Sequence, residues 1–155
     1  MTRIVFALYP GVTQLDFTGP HQVFARLPGA QITCASLTGE AVEADGLVFS
    51  GLAKLADVEG CDVLCVPGGY GTTEAIQNPE FLAQIRRLAE GATYVTSVCT
   101  GSLILAAAAH VAEGLLAVGV GGVLHERVGL GLGAVLVAGA RAAPAFGVFV
   151  LLRHG

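Results

Sequence analysis

Residues 3–8 read RIVFAL and residues 61–66 read CDVLCV, two short runs with almost no polar side chain. A strand with one face in water alternates apolar and polar residues, whereas a strand covered on both faces does not. Such runs are the buried strands of a parallel sheet, and they restrict the chain to folds in which helices cover that sheet on both sides. Residues 30–37 (AQITCASL) and 93–98 (TYVTSV) supply two more strands.

Helical patterns fall between the strands. In residues 13–27 (TQLDFTGPHQVFARL), the spacing of Val23, Phe24 and Leu27 predicts a helix from about Pro20 onward, with Pro20 in its first turn. Residues 78–92 (NPEFLAQIRRLAEGA) predict a helix capped by Asn78, with Pro79 at its first position. Phe81, Leu82, Ile85 and Leu88 form its apolar face and Gly91 stops it. Residues 101–109 (GSLILAAAA) open another helix. Asp45-Gly46, between short β-prone runs, is a hairpin turn signal. Strands alternating with helices define an α/β fold with a largely parallel sheet, in one domain spanning residues 1–155. Ligands bind such sheets where the strand C-termini meet loops, and PGGYG (67–71) and SVCTG (97–101) stand at two such ends.

Composition narrows the function classes. The 155 residues carry a net charge of −4 with scattered Lys and Arg, so no basic stripe marks a nucleic-acid surface. Although 54% of the residues are hydrophobic, no apolar run reaches the roughly 18 residues of a membrane span. The N-terminus, MTRIVFALYPG, lacks a signal-peptide pattern and reads as a first strand, which implies a cytoplasmic location. Cys34, Cys61, Cys65 and Cys99 form no CxxC or Cys/His group at zinc spacing. Cys34, Cys61 and Cys65 read as small buried hydrophobes.

Cys99 is different. Ser97-Val98-Cys99-Thr100-Gly101 has the form small-x-nucleophile-x-Gly at a strand-to-helix junction. A tight turn there lifts the side chain out of the sheet, and small neighbours relieve the crowded backbone. Unpaired N–H groups at the helix start favour thiolate over thiol. The pairing with PGGYG favours this reading over a structural Cys. In that loop Gly68, Gly69 and Gly71 let a backbone N–H point into a site as an oxyanion-type donor, although by itself the loop reads equally as a plain turn. It is neither a dinucleotide fingerprint nor a phosphate loop. Asp16, between Leu15 and Phe17, reads either as a desolvated carboxyl that handles protons or as a helix-cap or turn residue. Tyr70 and Thr72 are candidate pocket residues. No His has spacing that suggests a catalytic pair.

The stretches YPGVTQLDFTGPHQVFARLPG, DVLCVPGGYGT and VTSVCTGSLILAAA resemble the ThiJ/PfpI superfamily of flavodoxin-like proteins, and within it the isonitrile hydratase branch. The resemblance covers residues 3–109. It implies a flavodoxin-like three-layer sandwich with a nucleophile elbow, and a cofactor-independent hydro-lyase that adds water to an isonitrile, giving an N-substituted formamide. On that likeness Cys99 is the nucleophile and Asp16 the proton-handling carboxyl. Thr100 supports the site through its hydroxyl and backbone N–H, and Gly69 is a second oxyanion-type donor. A small-molecule substrate, a homodimer and no metal follow. Protease-like members carry His where Thr100 stands, which disfavours peptidase activity. A similar Cys and acid in members that detoxify α-oxoaldehydes keeps that chemistry open. A non-catalytic ligand-sensing or transcription-regulator-type domain is the other class.

From His110 to Gly155 the chain contains no Asp, Asn, Lys, Ser, Thr or Tyr. No helical face or alternating strand is legible there. Gly/Ala/Val/Leu-rich sequence of this kind is what a GC-rich gene yields when read out of frame. The expectation is a frameshifted or truncated C-terminal part, with a divergent genuine end as the alternative.

Overall fold

The computed structural model describes residues 1–113 and 148–152. The strands are β1 (Thr2–Leu8), β2 (Ala30–Ser36), β3 (Val42–Ala44), β4 (Leu47–Phe49), β5 (Ala53–Lys54), β6 (Val63–Val66), β7 (Tyr94–Val98) and β8 (Val148–Leu152). The helices are α1 (Gln14–Phe24), α2 (Thr72–Ile76), α3 (Pro79–Gly91) and α4 (Gly101–Glu113). Six of these strands form one sheet in the order β5-β2-β1-β6-β7-β8, parallel except for β8.

β1 is central, paired with β2 on one side and β6 on the other, and Ile4, Phe6, Ala7 and Leu8 are almost fully buried. This is why its sequence is uniformly apolar: neither face meets water. Phe6 packs against Phe17, His21 and Phe24 of α1. Tyr9, following the strand onto its other face, packs edge-on against Phe81 of α3. Helices α2 and α3 both adjoin α4. The sheet is thus the middle of three layers, with α1 on one face and α2 to α4 on the other.

The α3 expectation holds in detail. The Asn78 side chain accepts a 3.0 Å bond from the Phe81 N–H, Pro79 opens the helix, and Phe81, Leu82, Ile85 and Leu88 are buried. The β3–β4 turn has positive φ at both Asp45 (51°) and Gly46 (81°), the requirement of a type I′ hairpin.

Helix α1 departs from expectation, starting at Gln14 rather than near Pro20. The reason lies outside the helix. The Thr13 N–H donates to Gly68 O at 2.8 Å, and Val12 forms a bridge with Gly69, so the loop after β6 sets where the helix begins. Pro20 therefore lies in the helix interior, with no N–H to give the Asp16 carbonyl. β5 and α2 are additional short elements that carry no clear sequence pattern. β8 pairs antiparallel with β7 in the region where no strand was legible. Apart from β8 and the last turn of α4, the expectation for residues 110–155 lies outside the described residues.

Candidate active site

The chain leaves β1 toward β2 on one side of the sheet, and the next strand to join β1 is β6 on the other. This reversal opens a crevice at the strand C-termini, the usual ligand position in such sheets. The β1–α1 loop, the β6–α2 loop and the β7–α4 junction meet there. Thr13 N to Gly68 O (2.8 Å) and Gly71 N to Gly11 O (3.1 Å) tie the first two together.

Cys99 occupies the β7–α4 junction with φ of 52°, a left-handed conformation rare for a side chain other than Gly, Asn or Asp. It is exposed, whereas Cys61 and Cys65 are buried and Cys34 is half-buried. The elbow is so close to β6 that a Cβ on Gly101 would stand 2.1 Å from Val66 O. A Cβ on Gly68 would stand 2.6 Å from the Thr100 N. The small residues around Cys99 are therefore required by close backbone approach. Burial pushes the thiols of Cys34, Cys61 and Cys65 up to about 11, which leaves them poor nucleophiles.

Asp16, in the first turn of α1, is only 2% exposed, and neither carboxylate oxygen has a formed hydrogen bond. It is not a cap. The Cys99 thiol and the Gly68 N–H are the donors that face it, outside full hydrogen-bond geometry. Burial raises its pKa above the ordinary 3.8, and those two donors pull it partly back. The carboxyl thus holds a proton closer to neutral pH than an exposed one does.

Beneath the elbow, three hydroxyls form a connected group. Tyr9 donates to Pro67 O at 2.9 Å, and Thr72 donates to Gly69 O at 2.7 Å. Each hydroxyl has one proton. The 2.8 Å bond between Thr72 and Thr100 must then be donated by Thr100, whose oxygen accepts the Gly69 N–H at 3.0 Å. Tyr9 Oη lies 3.1 Å from Thr72 Oγ1. Burial pushes the Tyr9 phenol up to about 12, with the adjacent Thr72 hydroxyl opposing the rise and the charges of Asp16 and Cys99 adding to it, so it remains a donor.

The structure therefore gathers Cys99, Asp16, Thr100 and the Gly68-Gly69 loop into one place. It corrects two expectations. The Gly69 N–H is committed to Thr100 Oγ1 rather than pointing free into the site. Tyr70 is 91% exposed and encloses nothing, while Thr72 is buried behind Thr100 rather than lining an opening. Tyr9 is the residue that sequence reasoning missed. Its signal was an aromatic with a polar tip at the end of an apolar strand, just before Pro10-Gly11. Among the described residues, no group of three or more His, Cys, Asp or Glu is arranged to hold a metal, and no helix is long and apolar enough to cross a membrane.

A mostly parallel, helix-covered sheet whose crevice holds a Cys at a strained strand-to-helix elbow beside a buried carboxyl defines the flavodoxin-like elbow proteins. The chain belongs to the DJ-1/PfpI family, whose model matches residues 2–121, somewhat beyond the stretch legible by eye. Isonitrile hydratase of Pseudomonas putida is 43% identical over 107 residues, 68% of this chain and 47% of that protein. A crystal structure of a ThiJ/PfpI family protein from Pseudomonas syringae matches with a TM-score of 0.66 and 39% identity. The match covers 69% of this chain and 46% of that one. Drosophila melanogaster DJ-1beta shares the fold, with a TM-score of 0.61 and 24% identity over 70% of this chain and 60% of its own. The chain spans about half the length of the two Pseudomonas relatives.

Proposed function

We propose that this protein is an isonitrile hydratase-like enzyme with Cys99 as its nucleophile. The observation that carries the reading is the Asp16 carboxyl, buried, unpaired and facing the thiol at the elbow. A fold gains no stability from a desolvated carboxyl without partners, whereas proton transfer to a bound substrate gives it a use. The 43% identity to an isonitrile hydratase supports the substrate class.

The isonitrile carbon is electrophilic at its terminal position. The Cys99 sulfur bonds to that carbon while a proton, relayed through Asp16, reaches the same carbon, giving a thioimidate R–N=CH–S–Cys. Water then adds to the C=N carbon, with its proton passing to nitrogen. The carbon–sulfur bond breaks, the thiol recovers its proton, and R–NH–CHO leaves. The net reaction consumes one isonitrile and one water. Thr100 supports the elbow, and its backbone N–H stabilises charge that develops on the adduct.

A free reactive thiol stays reduced in the cytoplasm, and we place the enzyme there. We further propose a homodimer, because Leu15 and Val23 on α1 and Leu47 and Val48 on the hairpin are exposed. Sedimentation equilibrium tests that assembly. The function is tested by incubating purified protein with cyclohexyl isocyanide and following the formamide by chromatography. Formamide production that depends on Cys99 supports the proposal. Its absence, with turnover of an α-oxoaldehyde in a parallel assay, replaces the substrate class.

A further inference from the structure

We propose that Thr72 and Tyr9 are positioning residues that latch the strained Cys99 elbow to the Gly68-Gly69 loop by way of the Thr100 hydroxyl. The inference rests on the hydratase reading for its kinetic consequence, but the latch itself is a matter of geometry. Neither residue touches the reacting atoms; both act through Thr100.

Cys99 has an unfavourable φ of 52°, so the elbow needs an outside restraint to stay in place. Gly101 lets the backbone lie close to β6. The restraint comes from the next residue after the thiol. Protons run from the Gly69 N–H to Thr100 Oγ1 (3.0 Å), from Thr100 to Thr72 Oγ1 (2.8 Å) and from Thr72 to Gly69 O (2.7 Å). This ring begins and ends on the two polar groups of one residue, so it holds Gly69 and Thr100 together from both sides. Thr72 is 5% exposed and Tyr9 4% exposed, which shields the ring from competing water.

Tyr9 holds the ring from behind. It does so through the loop, donating to Pro67 O at 2.9 Å just before Gly68, while its oxygen lies in contact with Thr72 Oγ1 at 3.1 Å and Phe81 backs its ring. Without the Thr72 hydroxyl, the Thr100 proton loses its 2.8 Å acceptor, and Gly69 O, at 3.4 Å, is a poor substitute. Thr100 then leaves its place, and the residue before it carries the sulfur with it.

The test uses Thr72→Val, Thr72→Ser and Tyr9→Phe in the full chain. Thermal melting first establishes which variants fold. The rate at which iodoacetamide alkylates Cys99, read by peptide mass, then reports where the sulfur sits without any substrate. Kinetics with cyclohexyl isocyanide report kcat and KM separately. In Thr72→Val, kcat falls by about tenfold or more with KM nearly unchanged, and alkylation slows in parallel. Thr72→Ser keeps the hydroxyl and restores both to within about threefold of the parent, which a merely structural role for the side chain would not produce. Tyr9→Phe shows a smaller loss in the same two readouts. If Thr72→Val does not fold, Tyr9→Phe against the parent decides. The latch is overturned if folded Thr72→Val alkylates and turns over like the parent, if Ser and Val behave alike, or if Tyr9→Phe leaves both readouts unchanged. A protein that turns over no isonitrile but shows the Val–Ser difference in alkylation retains the latch and loses the hydratase reading.

Discussion

Replacing Asp16 by Asn separates stability from activity in a way that depends on pH. The substitution keeps the shape of the side chain and removes its titration. In the parent, Asp16 is 2% exposed with both oxygens unpaired, and burial raises its pKa from 3.8. The folded protein therefore holds a proton that the unfolded chain releases once the pH passes 3.8. With more protons bound in the folded state, unfolding free energy falls as pH rises, by at most about 1.4 kcal/mol per pH unit. The fall begins at the unfolded value and stops at the raised folded value; above it the penalty is constant. Asn pays no such penalty. The Asn amide and the neutral acid carry the same cost of a buried polar group, so the plateau difference is the extra cost of the charge, about 1.4 kcal/mol for each pH unit between the unfolded and folded values. Urea unfolding followed by circular dichroism, from about pH 4 to about pH 8, measures it directly. The variant should gain stability relative to the parent as pH rises, while its turnover drops by roughly a hundredfold. Two stability curves that stay parallel across the range would show that burial does not shift Asp16. The proton-handling role would then lose its physical basis.

Other predictions test neighbouring parts. Cys99→Ala should abolish formamide production, and Cys34→Ala should leave it intact; activity in folded Cys99→Ala rules out the covalent route. In Gly101→Ala the new Cβ would stand 2.1 Å from Val66 O, where ordinary contact begins near 3.4 Å. The elbow must then yield by about an ångström, and a misplacement of that size costs roughly a hundredfold in kcat. Parent-like kcat in the folded variant contradicts the close approach. Asn78→Ala removes the side-chain bond to the Phe81 N–H and should cost about 1 kcal/mol in urea unfolding with no change in kcat, because the bond lost is to the backbone and the Phe81 ring stays packed against Tyr9.

The amino-acid sequence alone determined whatever depends on neighbours along the chain. β1 and β6 are legible because a strand covered on both faces has no polar positions. Asn78 and Pro79 announce α3, and Asp45-Gly46 the β3–β4 hairpin, since caps and tight turns are short-range events. Cys99 between small residues marks the elbow for the same reason. Tertiary structure decided the rest. Asp16 stood open between cap and buried acid until the Thr13–Gly68 bond moved the start of α1 and carried the carboxyl under the elbow. Tyr9 meets Pro67 and Thr72 across 58 and 63 positions of sequence. Thr100 takes the Gly69 N–H across 31. No local pattern encodes such contacts. They form because the parallel pairing of β1, β6 and β7 brings three loops to the same edge of the sheet, and each hydroxyl there has one proton to place.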